Sequence, residues 1–132
     1  MNIDESLYKY LSTYAGLTAL INTKVYPLVV PQDVALPAVT YQRISDPPEH
    51  AMGKDATIYH PRYQISCWAT TYTGVQSLAA QIKAALTDYS SAAMGGTGGE
   101  NVYRVFYEGC YSDYDSNTGQ YRETLDFIIW HD

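Results

Sequence analysis

The chain has 132 residues, 46% hydrophobic and 17% charged, a balance that excludes a fully disordered polymer. Fourteen acids against eight Lys and Arg leave a formal charge of −6. That sign excludes a sequence-independent grip on nucleic acid or an anionic membrane, both of which need a dense positive field.

The first predicted element is a helix. Asp4 stands as its cap, and Leu7, Tyr10, Leu11 and Tyr14 follow at the i, i+3, i+4, i+7 spacing of one helical face. Gly16 is expected to end it, with one further turn over Leu17 to Ile21. Lys24-Val25-Tyr26 then runs into prolines at 27, 31 and 37, which forbid a helix or a central strand and leave an extended segment crossing an edge. Residues 38–45 alternate and predict a strand. Residues 46–55 form a polar loop long enough to be functional or mobile. A second strand is expected within 57–70, with Tyr63, Ile65, Cys67 and Ala69 on one face and Arg62, Gln64, Ser66 and Trp68 on the other; Pro61 marks a bulge or an unpaired edge at its start.

The strongest pattern is a helix over 73–89. Val75, Leu78, Ala79, Ile82, Ala85, Leu86 and Tyr89 make an apolar stripe that requires a layer beneath it. Gly95, Gly96, Gly98 and Gly99 follow in a loop too permissive to hold one conformation alone. Strands over 102–114 and 120–131 are joined by Asp115-Ser116-Asn117-Thr118-Gly119, a hairpin turn, with Gly109 marking a bulge. Tyr121, Leu125, Phe127 and Ile129 share one face of the last strand, and Arg122, Thr124 and Asp126 the other. The strand over 38–45 is expected to pair with the one after it, as are the last two. The order predicts a single α+β domain over 1–132: a mostly antiparallel sheet of four to five strands with two helices packed on one face.

The chemistry of a catalyst is not visible. His50, His60 and His131 are dispersed, and no HxH, HxxxH or CxxC spacing marks a metal site. Cys67 falls on the expected buried face, and Cys110 has no cluster of basic neighbours to activate it. The glycine run follows a helix and precedes a strand, the reverse of a phosphate loop, and no lysine follows it. Asp113, Asp115 and Asn117 have the spacing of a calcium loop, but Thr118 and Thr124 stand where its glycine and glutamate belong. Neither an enzyme activity, a cofactor nor a metal is expected. No apolar run reaches the length of a membrane span, and the opening MNIDESLYKYL has no leader-like apolar core, so neither a span nor a leader is expected. Fourteen tyrosines against two phenylalanines suit half-wet surfaces such as subunit contacts.

Several segments together resemble one family. They are Lys24-Val25-Tyr26-Pro27, Val30-Pro31-Gln32, the run Leu36-Pro37-Ala38-Val39-Thr40-Tyr41-Gln42-Arg43-Ile44-Ser45, the strand Tyr63-Gln64-Ile65-Ser66-Cys67-Trp68-Ala69, the helix beginning at Tyr72, and the close from Asp113 through Gly119-Gln120-Tyr121-Arg122 to Leu125-Asp126-Phe127-Ile128-Ile129-Trp130-His131. In this order they are similar to the tail completion, or tail-to-head joining, proteins of long-tailed phages and prophages. The resemblance covers nearly the whole chain. It departs from the family's pattern at Lys24, where arginine is frequent, and in the loop 46–56.

The resemblance implies an α+β subunit architecturally related to the lambda-type tail terminators. It implies a non-enzymatic virion protein at the head–tail junction, assembled in the host bacterial cytoplasm as a ring, normally a hexamer. The ring caps the tail tube and meets the head connector, and DNA passes through without specific binding. The isolated chain could be a monomer, and a defective prophage or tail-like particle would use the same subunit. Size is compatible: a radius of gyration of roughly 14 Å gives a globule about 36 Å across. Six in a ring leave a hole of roughly 36 Å and four only about 15 Å, against a duplex roughly 20 Å wide. An acidic wall would let DNA slide.

The expected contact residues are Asp46, Pro47, Pro48, Glu49, His50, Met52, Gly53 and Lys54 in the first loop and Gly95, Gly96, Gly98 and Gly99 in the second. Both loops are expected to be mobile in the free subunit and ordered by a neighbour. A tyrosine-rich α+β module binding a small ligand as a dimer is the alternative.

Overall fold

A computed structural model describes residues 3–22, 24–31, 35, 37–45, 50–51, 54–55, 59–90, 93–96, 98–117 and 119–131, with backbone alone at 50, 51, 54 and 55. Within them the helices are α1 (Ile3–Thr13), α2 (Ala15–Ile21) and α3 (Tyr72–Leu86). The strands are β1 (Val25–Pro27), β2 (Ala38–Ser45), β3 (His50–Ala51), β4 (Lys54–Asp55), β5 (Arg62–Ala69), β6 (Val102–Asp115) and β7 (Gln120–His131).

The N-terminal helix differs from expectation in two ways. Asp4 lies inside the first turn of α1 and does not cap it; its carboxylate accepts a hydrogen bond from the hydroxyl of buried Tyr63 instead. The helix breaks at Tyr14 (φ −72°, ψ 119°), and Gly16 sits in the first turn of α2. Leu7, Leu11, Leu17 and Ile21 are all fully buried, so the break re-aims the apolar stripe onto the same core. Asn22, at φ 57°, ends α2 and donates its N–H to Thr18. The expected extra turn is thus a helix in its own right, making three helices among the described residues.

A five-stranded sheet has the order β1-β2-β5-β7-β6. The expected pairings β2–β5 and β6–β7 are both present and antiparallel. The β5–β7 ladder joins the two hairpins, from Arg62↔Ile128 to Ala69↔Tyr121. The extended segment at Val25 is an edge strand parallel to β2, so the sheet is mixed. Strand β5 starts at Arg62, later than the sequence boundary, because Pro61 interrupts the ladder; upstream, Tyr59 makes an isolated bridge to His131. The β6 register shifts between Tyr107 and Gly109, where φ is 150°, which is the predicted bulge.

Strand β5 alternates strictly between buried and half-buried residues. Its buried set, Tyr63, Ile65, Cys67 and Ala69, meets Leu125, Phe127 and Ile129 of β7 under the helices. Helix α3 adds Val75, Leu78, Ala79, Ile82, Ala85 and Leu86. Thr71 caps it by accepting the Gly74 N–H at 3.1 Å. The helix stops at Leu86, three residues short of the periodic pattern. Asp88 (φ 58°) then turns the chain so that Asp88 N–H donates to Val105 and Val105 N–H donates to Tyr89. The exit of α3 therefore covers part of the outer edge of β6.

Candidate functional site

The helices contact β1, β5, β6 and β7, and the opposite face of the sheet carries none of them. It presents Arg62, Gln64, Ser66 and Trp68 from β5 and Arg122, Thr124, Asp126, Ile128 and Trp130 from β7. Strand β6 adds Phe106, Tyr111 and Asp113. Alternation in the sequence already separates most of these residues from the core set. The β5–β7 ladder is what gathers them on one surface, and no local signal announces that pairing.

Side chains on this face lock one another. Arg122 lies over the Trp68 ring at 5.3 Å and is paired with the Asp113 carboxylate. Trp68 Nε1 donates to Thr40 Oγ1 at 3.1 Å, and Arg62 stands 3.7 Å from Asp126. Gln64 Nε2 donates to the Tyr111 hydroxyl at 3.2 Å although β7 runs between their strands, so the Tyr111 ring arches over β7. Thr124 is paired with Tyr111 in the ladder and is only 1% exposed on a face without helices. Its Oγ1 has no hydrogen-bond partner among the described residues. A cleft of about 250 Å³ opens beside Trp68, Asp113, Tyr114, Asp115, Gln120 and Arg122.

At the opposite edge, Asp4, Pro27, Leu28, Tyr41, Gln42 and Arg43 line a cleft of about 290 Å³. Burial, then the Asp4 carboxylate and Tyr8, raise the Tyr41 hydroxyl above the usual tyrosine range. Leu28 has φ 66°, and Val29 N–H donates to Pro27 C=O at 2.7 Å across it. This is a γ-turn of the rare positive-φ kind, which is strained for a branched side chain. It holds Leu28 and Val29 63% and 69% exposed.

The sequence-predicted contact residues fall apart into two places. His50–Ala51 pairs with Lys54–Asp55 in a two-residue ladder inside the first loop. Asp46, Pro47, Pro48, Glu49, Met52 and Gly53 lie outside the described residues. The glycine segment is tied to α1: Met94 is fully buried and its N–H donates to Glu100, whose own N–H donates to Ser6 Oγ. Gly95, at φ 82°, passes so close that a Cβ would stand 2.9 Å from the Ser6 carbonyl. Gly96 and Gly98 are exposed, and Gly99 donates its N–H to Gly96.

The nucleophile and ligand candidates are otherwise engaged. Burial, then the Glu123 carboxylate, push the Cys67 thiol far up, so it is a core hydrophobe. Cys110 is exposed and its Sγ lies 3.7 Å from Glu123 Oε1. His60 stacks on Trp130 and His131 on Tyr59. Among the described residues no three His, Cys, Asp or Glu side chains converge as a metal cluster, and no helix is long and apolar enough to cross a membrane.

A family profile described as tail completion protein gp17 matches residues 5–132. The chain belongs to this tail completion family. It is a structural virion protein of the tail. A solved chain in the virion of a native gene transfer agent particle has a similar fold, at TM-score 0.75 and 18% identity over 95% of this chain and 90% of that one. Among curated protein sequences none matches significantly.

Proposed function

We propose that this tail completion protein caps the tail tube and joins it to the head connector as a ring through which the genome passes. The observation that carries the reading is the family match, which begins within α1 and spans the other described helices and the whole five-stranded sheet. Physical properties agree with it. The α+β unit presents a cross-linked sheet face that carries no helix among the described residues and suits protein contact, and its net negative charge keeps DNA from adhering. A ring of six leaves a hole of roughly 36 Å, wide enough for a duplex with space for loops. The loops at 46–56 and 90–101 serve as contact segments towards the neighbours in that ring, the tube or the connector. Assembly takes place in the host cytoplasm, and the product resides at the head–tail junction.

Deleting the gene from the phage or prophage tests this. The expected result is full heads and separate tails, with joining restored when the purified protein is added to the lysate. Normal, joined particles from the deletion strain contradict it.

A further inference from the structure

The two edges of the sheet are unlike, and they lie about 19 Å apart across four strand spacings. Strand β6 is the longer edge, at 14 residues. The α3 exit covers it at Val105; beyond that, no backbone hydrogen bond leads from its outer side to another described element. Exposed aromatic side chains punctuate it at Tyr103, Phe106 and Tyr114, whereas Tyr111 leans inward over β7. Residues 105–119 contain Glu108, Asp113 and Asp115 and no Lys or Arg. The β1 edge has the opposite character. Residues 24–31 and 38–45 contain Lys24 and Arg43 and no acid, and Leu28 and Val29 there are the most exposed large apolar side chains described.

We propose that the occupant of the β6 edge is the β1 edge of a second copy of this chain. The Leu28–Val29 knob seats among the exposed aromatics of β6, with Lys24 and Arg43 facing Glu108 and Asp115. A two-fold β6–β6 pairing is disfavoured, because it gathers six carboxylates against one arginine from each strand, Arg104, which is already paired with Asp88 at 2.8 Å. The junction is made by side chains and does not extend the ladder: Pro27 has no N–H, and that of Val29 is engaged inside its own turn. Opposite edges meeting in this way form a heterologous contact, the kind that propagates head to tail and closes into a ring when the rotation allows. The strain at Leu28 fits this role, since it displays an apolar side chain that the described residues leave 63% exposed. The inference rests on the ring reading above and names the surfaces that build it.

Two variants, each blocking one edge, test it. The first carries Glu108→Lys and Phe106→Lys; the second carries Leu28→Gly and Val29→Ser, where glycine also accepts the positive φ. Circular dichroism establishes that both fold, and sedimentation velocity up to about 1 mM reads association. Wild-type protein is expected to self-associate, and each variant alone to do so at least about 10-fold more weakly. Mixed, the variants retain one intact junction and are expected to form 1:1 pairs and nothing larger. If wild-type protein assembles and either variant assembles equally well, the junction is wrong while the ring stands. Dimers of the second variant alone mean two-fold β6 pairing and overturn the proposal. If the mixture stays monomeric while wild-type protein assembles, the proposal is likewise overturned. Wild-type protein that remains monomeric up to about 1 mM overturns the junction as a contact the two edges make by themselves, while the ring reading, which allows a monomer in isolation, is decided by the deletion strain.

Discussion

The hydroxyl of Tyr10 donates to the carbonyl of Ala85 at 2.6 Å, joining α1 to the last turn of α3 across 75 residues. The Tyr10 ring lies 4.6 Å from that of Tyr89, just beyond the end of α3. A helix C-terminus leaves its last carbonyls without intrahelical donors, and this bond satisfies one of them. Tyr10→Phe keeps the ring and removes the bond, so it is expected to cost about 1 kcal/mol. Urea unfolding checks this, as a lower midpoint with an unchanged slope.

Alkaline pH acts on the same contact. Burial, then Tyr89 and Tyr14, push the Tyr10 hydroxyl from 10.0 up to about 12. A group raised on folding contributes stability that is fully present below its unfolded pKa and is lost as pH rises through the folded one. Wild-type stability is therefore expected to fall between pH 10 and 12, and the gap between it and Tyr10→Phe to close in that window. Cys67, also raised by burial, lowers stability from about pH 9 upward in both proteins and cancels in the difference. Paired urea titrations across pH 8–13 give the comparison.

Thr124 offers a substitution that improves the fold. Its hydroxyl is buried without a hydrogen-bond partner among the described residues. An unpaired buried hydroxyl carries its full desolvation cost. Thr124→Val keeps the branched shape and is expected to raise stability by about 1 kcal/mol, read as a higher thermal midpoint. A lower midpoint would show that the hydroxyl has a partner.

Ile82 is fully buried at the centre of the α3 stripe. Ile82→Asp places a carboxylate in an apolar layer and is expected to cost more than about 4 kcal/mol, enough to leave little folded protein. Soluble yield and the far-ultraviolet circular dichroism spectrum measure it.

Much of this fold was legible because its signals are local. The spacing of Val75, Leu78, Ala79 and Ile82 marks α3, alternation marks β2 and β5, and Asp115 to Gly119 marks the last turn. The bounds of β2 and β7 coincide with those expected. What was not legible is decided by tertiary contact. The break at Tyr14 has no local breaker: Gly16, the obvious one, is inside α2, and Leu17 and Ile21 need the altered direction to reach the core. Asp4 resembles a cap, but the buried Tyr63 hydroxyl claims its carboxylate. The glycine loop looked free because its anchor, Met94, has no periodic context in sequence. The face opposite the helices was half legible: Arg122 and Trp68 alternate outward, yet only the β5–β7 register brings them together. The Leu28–Val29 turn was hidden, since three prolines show an extended edge and say nothing of a positive φ.

The most direct measurement is a cryo-electron microscopy reconstruction of the neck of an assembled particle containing this chain. The account predicts a closed ring of copies of this fold between the tail tube and the head connector, around a channel wider than a DNA duplex. Density for the chain anywhere else, or as isolated copies that do not touch, contradicts it.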